Sequence, residues 1–210
     1  MNIMYKLLLI SFACVLNSAE VNADRYFKNC DQVLDNGVFK SCYNYSYKST
    51  TASYIELTDR SNQTSIKERF AFYDDKNIPV QYRASSSDFT NRGRDRGHIQ
   101  SDASNDYSKE VLYLTYAMSN ITMQYPQTNR RSYLEVEKHE RKLVHEYGNI
   151  RALTVIKYSN ESVNGIGVPR DYTKIFWNDN FIECYYIKND NKIYTLEQML
   201  INCSVLNINK

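Results

Sequence analysis

The sequence predicts a mixed α+β fold with a mainly antiparallel sheet and few helices. Three observations carry this. Residues 38–47, 52–57, 152–158, 172–178 and 181–188 are rich in β-branched and aromatic side chains with partial alternation, the mark of half-buried strands. Tyr133, Val136, Glu140, Leu143, Val144 and Tyr147 recur at helical spacing. No repeat, Pro/Gly-rich linker or long charge run interrupts the 210 residues, a length that suits one domain able to bury its own core.

From the N-terminus, Lys6 precedes an apolar run over residues 7–16, and small-residue cleavage sites follow at Ala19 and Ala23. This is the layout of a secretory signal peptide, assigned to residues 1–23, with one domain over 24–210. The apolar run is shorter than the roughly 20 residues a membrane span needs, so the mature chain is expected to be free of the membrane. Export means secretion or a periplasmic location.

Residues 69–73 read as a further strand, 74–77 as a turn, and 78–83 as a continuation of that hairpin. The polar stretch 88–106, with Gly93 and Gly97, reads as loop, and 111–118 turns apolar. The best helix spans 129–147, with Gly148 where a C-terminal cap belongs. Asp179-Asn180 joins two strands as a tight turn, and 195–200 reads as a short helix.

Cleavage leaves Cys30, Cys42, Cys184 and Cys203. An even count in an exported chain reads as two disulfides. Of three possible pairings, proximity in sequence favours Cys30–Cys42 and Cys184–Cys203. The chain has no C-x-x-C and no Cys/His pair at finger spacing, which argues against a zinc site.

Charge is nearly balanced, 26 Lys+Arg against 24 Asp+Glu, so the net value decides nothing about a polyanionic partner. Clustering is more informative. Arg92, Arg94, Arg96, Arg130, Arg131, Lys138, Arg141 and Lys142 crowd two stretches. Of three histidines, His139 and His145 fall among charged residues of the predicted helix and read as solvated surface. His98 ends Asp95-Arg96-Gly97-His98 in the polar stretch. An imidazole can take a proton from water near neutral pH, and an adjacent arginine can hold phosphate. Asn129 stands at the start of the helix, where an N-cap is the simpler explanation. Glu137 lies about two turns on, followed by Arg141 at ion-pair spacing.

Asp95-Arg96-Gly97-His98 resembles the DRGH signature of the DNA/RNA non-specific endonucleases, which are ββα-metal (His-Me finger) enzymes. Ser119-Asn120, Gln124, Asn129, Tyr133, Glu137 and the run Glu140-Arg141-Lys142-Leu143 are similar to the family's downstream segment, in register without a gap. Val168-Pro169, Lys174 and Asn189 extend the resemblance, which covers about residues 50–190. Met123, Tyr133 and Arg94 depart from the family's usual proline, tryptophan and aromatic.

The resemblance implies a metal-dependent endonuclease indifferent to sequence and sugar, acting on DNA and RNA. His98 becomes the general base. Asn129 becomes the one direct protein ligand of Mg²⁺, with Mn²⁺ as a substitute. Glu137 orients the waters around that ion. Arg96 and Arg141 steady the phosphate charge, and Arg69, Arg83, Arg94 and Arg131 contact substrate, although Arg83 reads equally well as a surface residue. Asp95 and Asn120 are structural, Asp95 by bonding loop N–H groups. Monomer and homodimer stay open. Two other classes compete: a catalytically silent nucleic-acid-binding protein, which would lose part of the His98/Asn129/Glu137 set, and a hydrolase of other phosphodiesters.

Overall fold

The computed structural model describes residues 21–62, 65–90 and 92–206. The signal-peptide assignment falls mainly outside them. The chain builds a seven-stranded antiparallel sheet and, apart from it, a two-stranded antiparallel ribbon. The strands are β1 (Gln32–Asp35), β2 (Phe39–Asn44), β3 (Ser49–Thr58), β4 (Asp95–His98), β5 (Ile121–Gln124), β6 (Asn149–Val163), β7 (Ile166–Trp177), β8 (Ile182–Lys188) and β9 (Leu200–Ile201). The large sheet runs β1-β2-β3-β6-β7-β8-β9, and β4 pairs with β5. The helices are α1 (Lys109–Thr115), α2 (Leu134–Tyr147) and α3 (Leu196–Met199).

Helix α2 follows the predicted pattern. Its buried face is Val136, Glu140, Leu143 and Val144, and it packs on the sheet through Phe39, Ile55, Ile150 and Phe176. Burying a side chain such as Leu143 contributes about 1.5–3 kcal/mol. Gly148 ends the helix at φ 78°, a left-handed conformation that favours glycine, and its N–H reaches Val144 O at 2.9 Å. The start differs from a simple cap. Thr128–Tyr133 is a π-helical segment leading into α2, so Asn129 lies inside the helix rather than capping it. Such widened turns often occur at functional sites.

Other expectations change. Residues 69–73 form no strand; Tyr73 makes one isolated bridge with Ala117. Their aromatic side chains pack on α1 and its end instead, Tyr73 stacking on Tyr113 at 4.4 Å and Phe70 meeting Tyr113 edge-on. Residues 78–83 form a turn, with a single 3-10 turn at Val80–Tyr82, rather than a hairpin arm. Asp95–His98, expected in a loop, is strand β4. There Gly97 is required by contact: a Cβ on it would come within 2.2 Å of Gln124 Cδ across the ribbon.

Both disulfides form as sequence proximity suggests, Cys30–Cys42 and Cys184–Cys203. They tie β2 to the residues ahead of β1, and β8 to the chain after β9. Among the described residues, no helix is long and apolar enough to cross a membrane.

Candidate active site

Strand β4 and its continuation lie alongside the π segment and α2, tied to them at four places. Asn129 Nδ2 donates to Asp95 Oδ2 at 3.1 Å. The Tyr133 hydroxyl donates to Ile99 O at 3.0 Å. Arg141 Nη1 reaches Ser101 Oγ at 3.4 Å, and Ser104 Oγ donates to Glu140 Oε1 at 2.7 Å. The strand that carries His98 is therefore clasped to the helix that carries Asn129 and Glu137.

His98 is set into an aromatic wall, its ring 5.0 Å from Tyr116 edge-on and 5.6 Å from Phe72. Its Nε2 is shut from solvent with no hydrogen-bond partner among the described residues. Burial lowers its pKa below the ordinary imidazole value; Arg69 pulls the same way and Asp102 opposes. The ring is thus neutral near pH 7, as a proton acceptor must be. Tyr116 donates to Asp102 Oδ2 at 3.0 Å, and Arg69 Nε bridges the same oxygen at 3.2 Å. Sequence reasoning missed Phe72, Tyr116 and Asp102, because nothing in their spacing marks them.

Glu137 shares a face of α2 with Glu140 and Arg141. Burial pushes its carboxyl up to about 7; Glu140 and Asp102 add to this, while Lys174 and Arg141 oppose it. The Asp102 charge acts upward on both Glu137 and His98. Glu137 and Arg141 form no ion pair within 4.0 Å in the structure.

Asp95 differs from its sequence expectation in its partners. Rather than backbone N–H groups, it accepts from two side chains, Asn129 and Arg130. Arg130 grips it bidentately, Nε at 2.8 Å and Nη2 at 2.7 Å. Burial pushes the Asp95 carboxyl upward, but these bonds outweigh it and its pKa lies below the ordinary aspartate value. Asn120 is fully buried, its amide spanning Gln100 N, Gln100 O and Thr115 O, and so fixes the turn after His98 to the end of α1.

The arginines divide. Arg83 folds onto the carbonyls of Ile78 and Lys76, Nη2 to Ile78 O at 2.6 Å. Arg69 is paired with Asp102 and Asp106 and also touches Ile66 O. Arg94 lies 3.7 Å over the Tyr125 ring and pairs with Glu161 at 3.2 Å. Arg96 donates to Ser86 O at 2.7 Å and Thr90 Oγ1 at 2.9 Å, with its Nε buried and unpartnered among the described residues. Arg131 is exposed and Arg141 half-buried. His139, expected on the solvated surface, is partly covered and bonds Glu183 Oε2 at 2.6 Å.

For a cation, the donors on offer are hard oxygens. The Asn129 amide nitrogen is occupied by Asp95, which turns its oxygen the other way, and Glu137 lies two turns along the helix. No group of three or more His, Cys, Asp or Glu gathers as a metal cage among the described residues. One amide oxygen without a carboxylate cage fits an ion that keeps most of its water, as Mg²⁺ does.

A two-stranded ribbon bearing a histidine is followed by a helix bearing an asparagine and a glutamate, the ββα order that the sequence resemblance implies. The chain belongs to the DNA/RNA non-specific endonuclease family, whose profile matches residues 17–210. It is similar to mitochondrial endonuclease G of Bos taurus, 26% identical over 118 residues, covering 50% of this chain and 40% of that protein. It is also similar to mitochondrial nuclease 1 of Schizosaccharomyces pombe, 28% identical over 146 residues, covering 64% and 44%. The chain thus spans less than half the length of these curated relatives. A crystal structure of the EndoG/EndoGI complex shares the fold, with a TM-score of 0.75 at 20% identity over 88% of this chain and 87% of that one.

Proposed function

We propose that this chain is an exported, metal-dependent endonuclease that hydrolyses phosphodiester bonds of DNA and RNA without regard to base sequence. The observation that carries this is the clasp between β4 and the helix, in which Asn129 bonds Asp95 three residues before His98 and Tyr133 bonds Ile99 one residue after it. Family membership and the neutral, walled-in imidazole support the same reading. The two disulfides favour a non-cytosolic compartment.

In this mechanism His98 accepts a proton from water as its oxygen attacks phosphorus. The bond from phosphorus to the 3′-oxygen breaks, that oxygen takes a proton from water, and the products are a 5′-phosphate and a 3′-hydroxyl. Asn129 Oδ1 would hold Mg²⁺, and Mn²⁺ in its place. Once bound, such an ion polarises the phosphate and stabilises the leaving oxygen. Glu137 accepts hydrogen bonds from water gathered beside Asn129 and orients it. In this reading Arg96 and Arg141 offset phosphate charge, and the exposed Arg131 holds the strand further out. Arg69 and Arg83 are already committed to protein partners and serve the scaffold, whereas Arg94, like Arg96, keeps a buried Nε without a partner among the described residues and in this reading contacts substrate. Contacts of this kind address the backbone, so base sequence is not read.

The test is incubation of the protein with plasmid DNA and with RNA, with Mg²⁺ and with excess EDTA, alongside His98→Ala and Asn129→Ala. Cutting of both substrates that needs the metal and vanishes in both variants is expected. A folded wild type that binds DNA and leaves it intact would replace the nuclease with a binding protein.

A further inference from the structure

We propose that Asp95 is a positioning residue that fixes the rotation of the Asn129 amide, so that oxygen rather than nitrogen is presented to the cation. This rests on Asn129 being the metal ligand. The two ends of an asparagine amide are almost the same size, and packing alone barely distinguishes them. A ligand amide turned the wrong way would offer N–H groups to a cation. The chain therefore needs something that tells the two ends apart.

An ionised carboxylate does this, because it accepts hydrogen bonds and cannot donate them. Asp95 Oδ2 stands 3.1 Å from Asn129 Nδ2. The opposite rotamer would set two oxygens against each other. Arg130 binds both Asp95 oxygens and so fixes the plane of the carboxylate. The backbone frames the same contact: Asp95 faces Gln124 across the β4–β5 ribbon, and Asn129 N–H donates to Tyr125 O at 2.9 Å. The first residue of the Asp95–His98 strand thereby acts on the metal through Asn129, while the last carries the base.

The test is Mn²⁺ binding to the protein without nucleic acid, followed by electron paramagnetic resonance, with thermal melting as a fold check. Asp95→Asn keeps the shape but replaces an acceptor-only group by one acceptor and one donor, which no longer distinguishes the two ends of the Asn129 amide, and affinity is expected to fall about tenfold or more, the usual scale for losing such a partner. Asp95→Asn combined with Asn129→Asp restores one donor facing one acceptor and leaves an oxygen for the cation; it should bind at least as tightly as wild type. Wild-type affinity in Asp95→Asn, or a double variant no better than it, overturns the proposal. Asn129→Ala separates the two levels. If it binds Mn²⁺ like wild type, the ligand assignment itself is wrong; if it loses binding while Asp95→Asn does not, only the positioning role fails.

Discussion

Lys174 Nζ lies 3.0 Å from Glu140 Oε2, and both side chains are 1% exposed. Ser104 Oγ donates to the other Glu140 oxygen, and the ammonium sits 5.0 Å from the Tyr133 ring centre. This buried pair pins β7 to α2 directly beneath the Glu137 turn. Removing one partner strands a charge in the interior. Lys174→Met is expected to cost about 3–5 kcal/mol of folding free energy in urea unfolding, and adding Glu140→Gln should return much of it.

Glu137 should trade stability for function. Its carboxyl is raised to about 7 in the fold by burial, against an unfolded value of 4.5. Between these values the native state holds the proton more than the unfolded state, so stability falls as pH rises from about 4.5 to 7 and stays lower above. Glu137→Gln avoids that penalty. It should melt higher than wild type at pH 8, by an amount worth up to about 3 kcal/mol, with little difference at pH 4, while cleavage is lost.

The same group predicts a metal-linked pH profile. Protonated Glu137 cannot accept from water, so cleavage at limiting Mg²⁺ should decline as pH drops through about 7. Raising Mg²⁺ favours the ionised form by mass action and should move the decline to lower pH. Cleavage rates over a grid of pH and Mg²⁺ check this; a midpoint unmoved by Mg²⁺ would assign the limb to another group.

Gly97→Ala is expected to fold poorly. The new Cβ would meet the fully buried Gln124 side chain, with Cδ at 2.2 Å, and overpacking of this kind costs about 1–3 kcal/mol or more. Truncating Gln124 to Ala in the same chain should relieve the clash. Melting curves of the single and double variants decide it.

For a leader such as the sequence suggests, the boundary assigned at Ala23 carries a packing cost that a cut after Ala19 would avoid. Val21 is buried with Leu153, Ile175, Trp177 and Cys184, and cleavage after Ala23 would remove it from that cluster. Sequencing the N-terminus of exported protein should give Glu20 first; a start at Asp24 would show that the cluster closes without Val21.

The local patterns were readable where one periodicity ruled. Helix α2 with its Gly148 end, strands β2, β3, β6, β7 and β8, the capped α3 and both cysteine pairs follow from spacing, because each records a face turned to the core or a short chain closure. Strands β1 and β9 are too short for alternation to register. Residues 69–73 alternate like a strand, yet their aromatics found better partners in Tyr113 and Tyr116 than a neighbouring strand could offer. The residues by themselves thus determined the fold class, the helix that carries Asn129 and Glu137, and the motif that ends in His98. Tertiary structure alone decided which partner each charged group found: Asp95 with Asn129 and Arg130, Arg83 with its own turn, Lys174 with Glu140. Periodicity specifies which face of an element is buried, whereas the pairing of charges depends on which elements meet, and that is settled only when the whole chain packs.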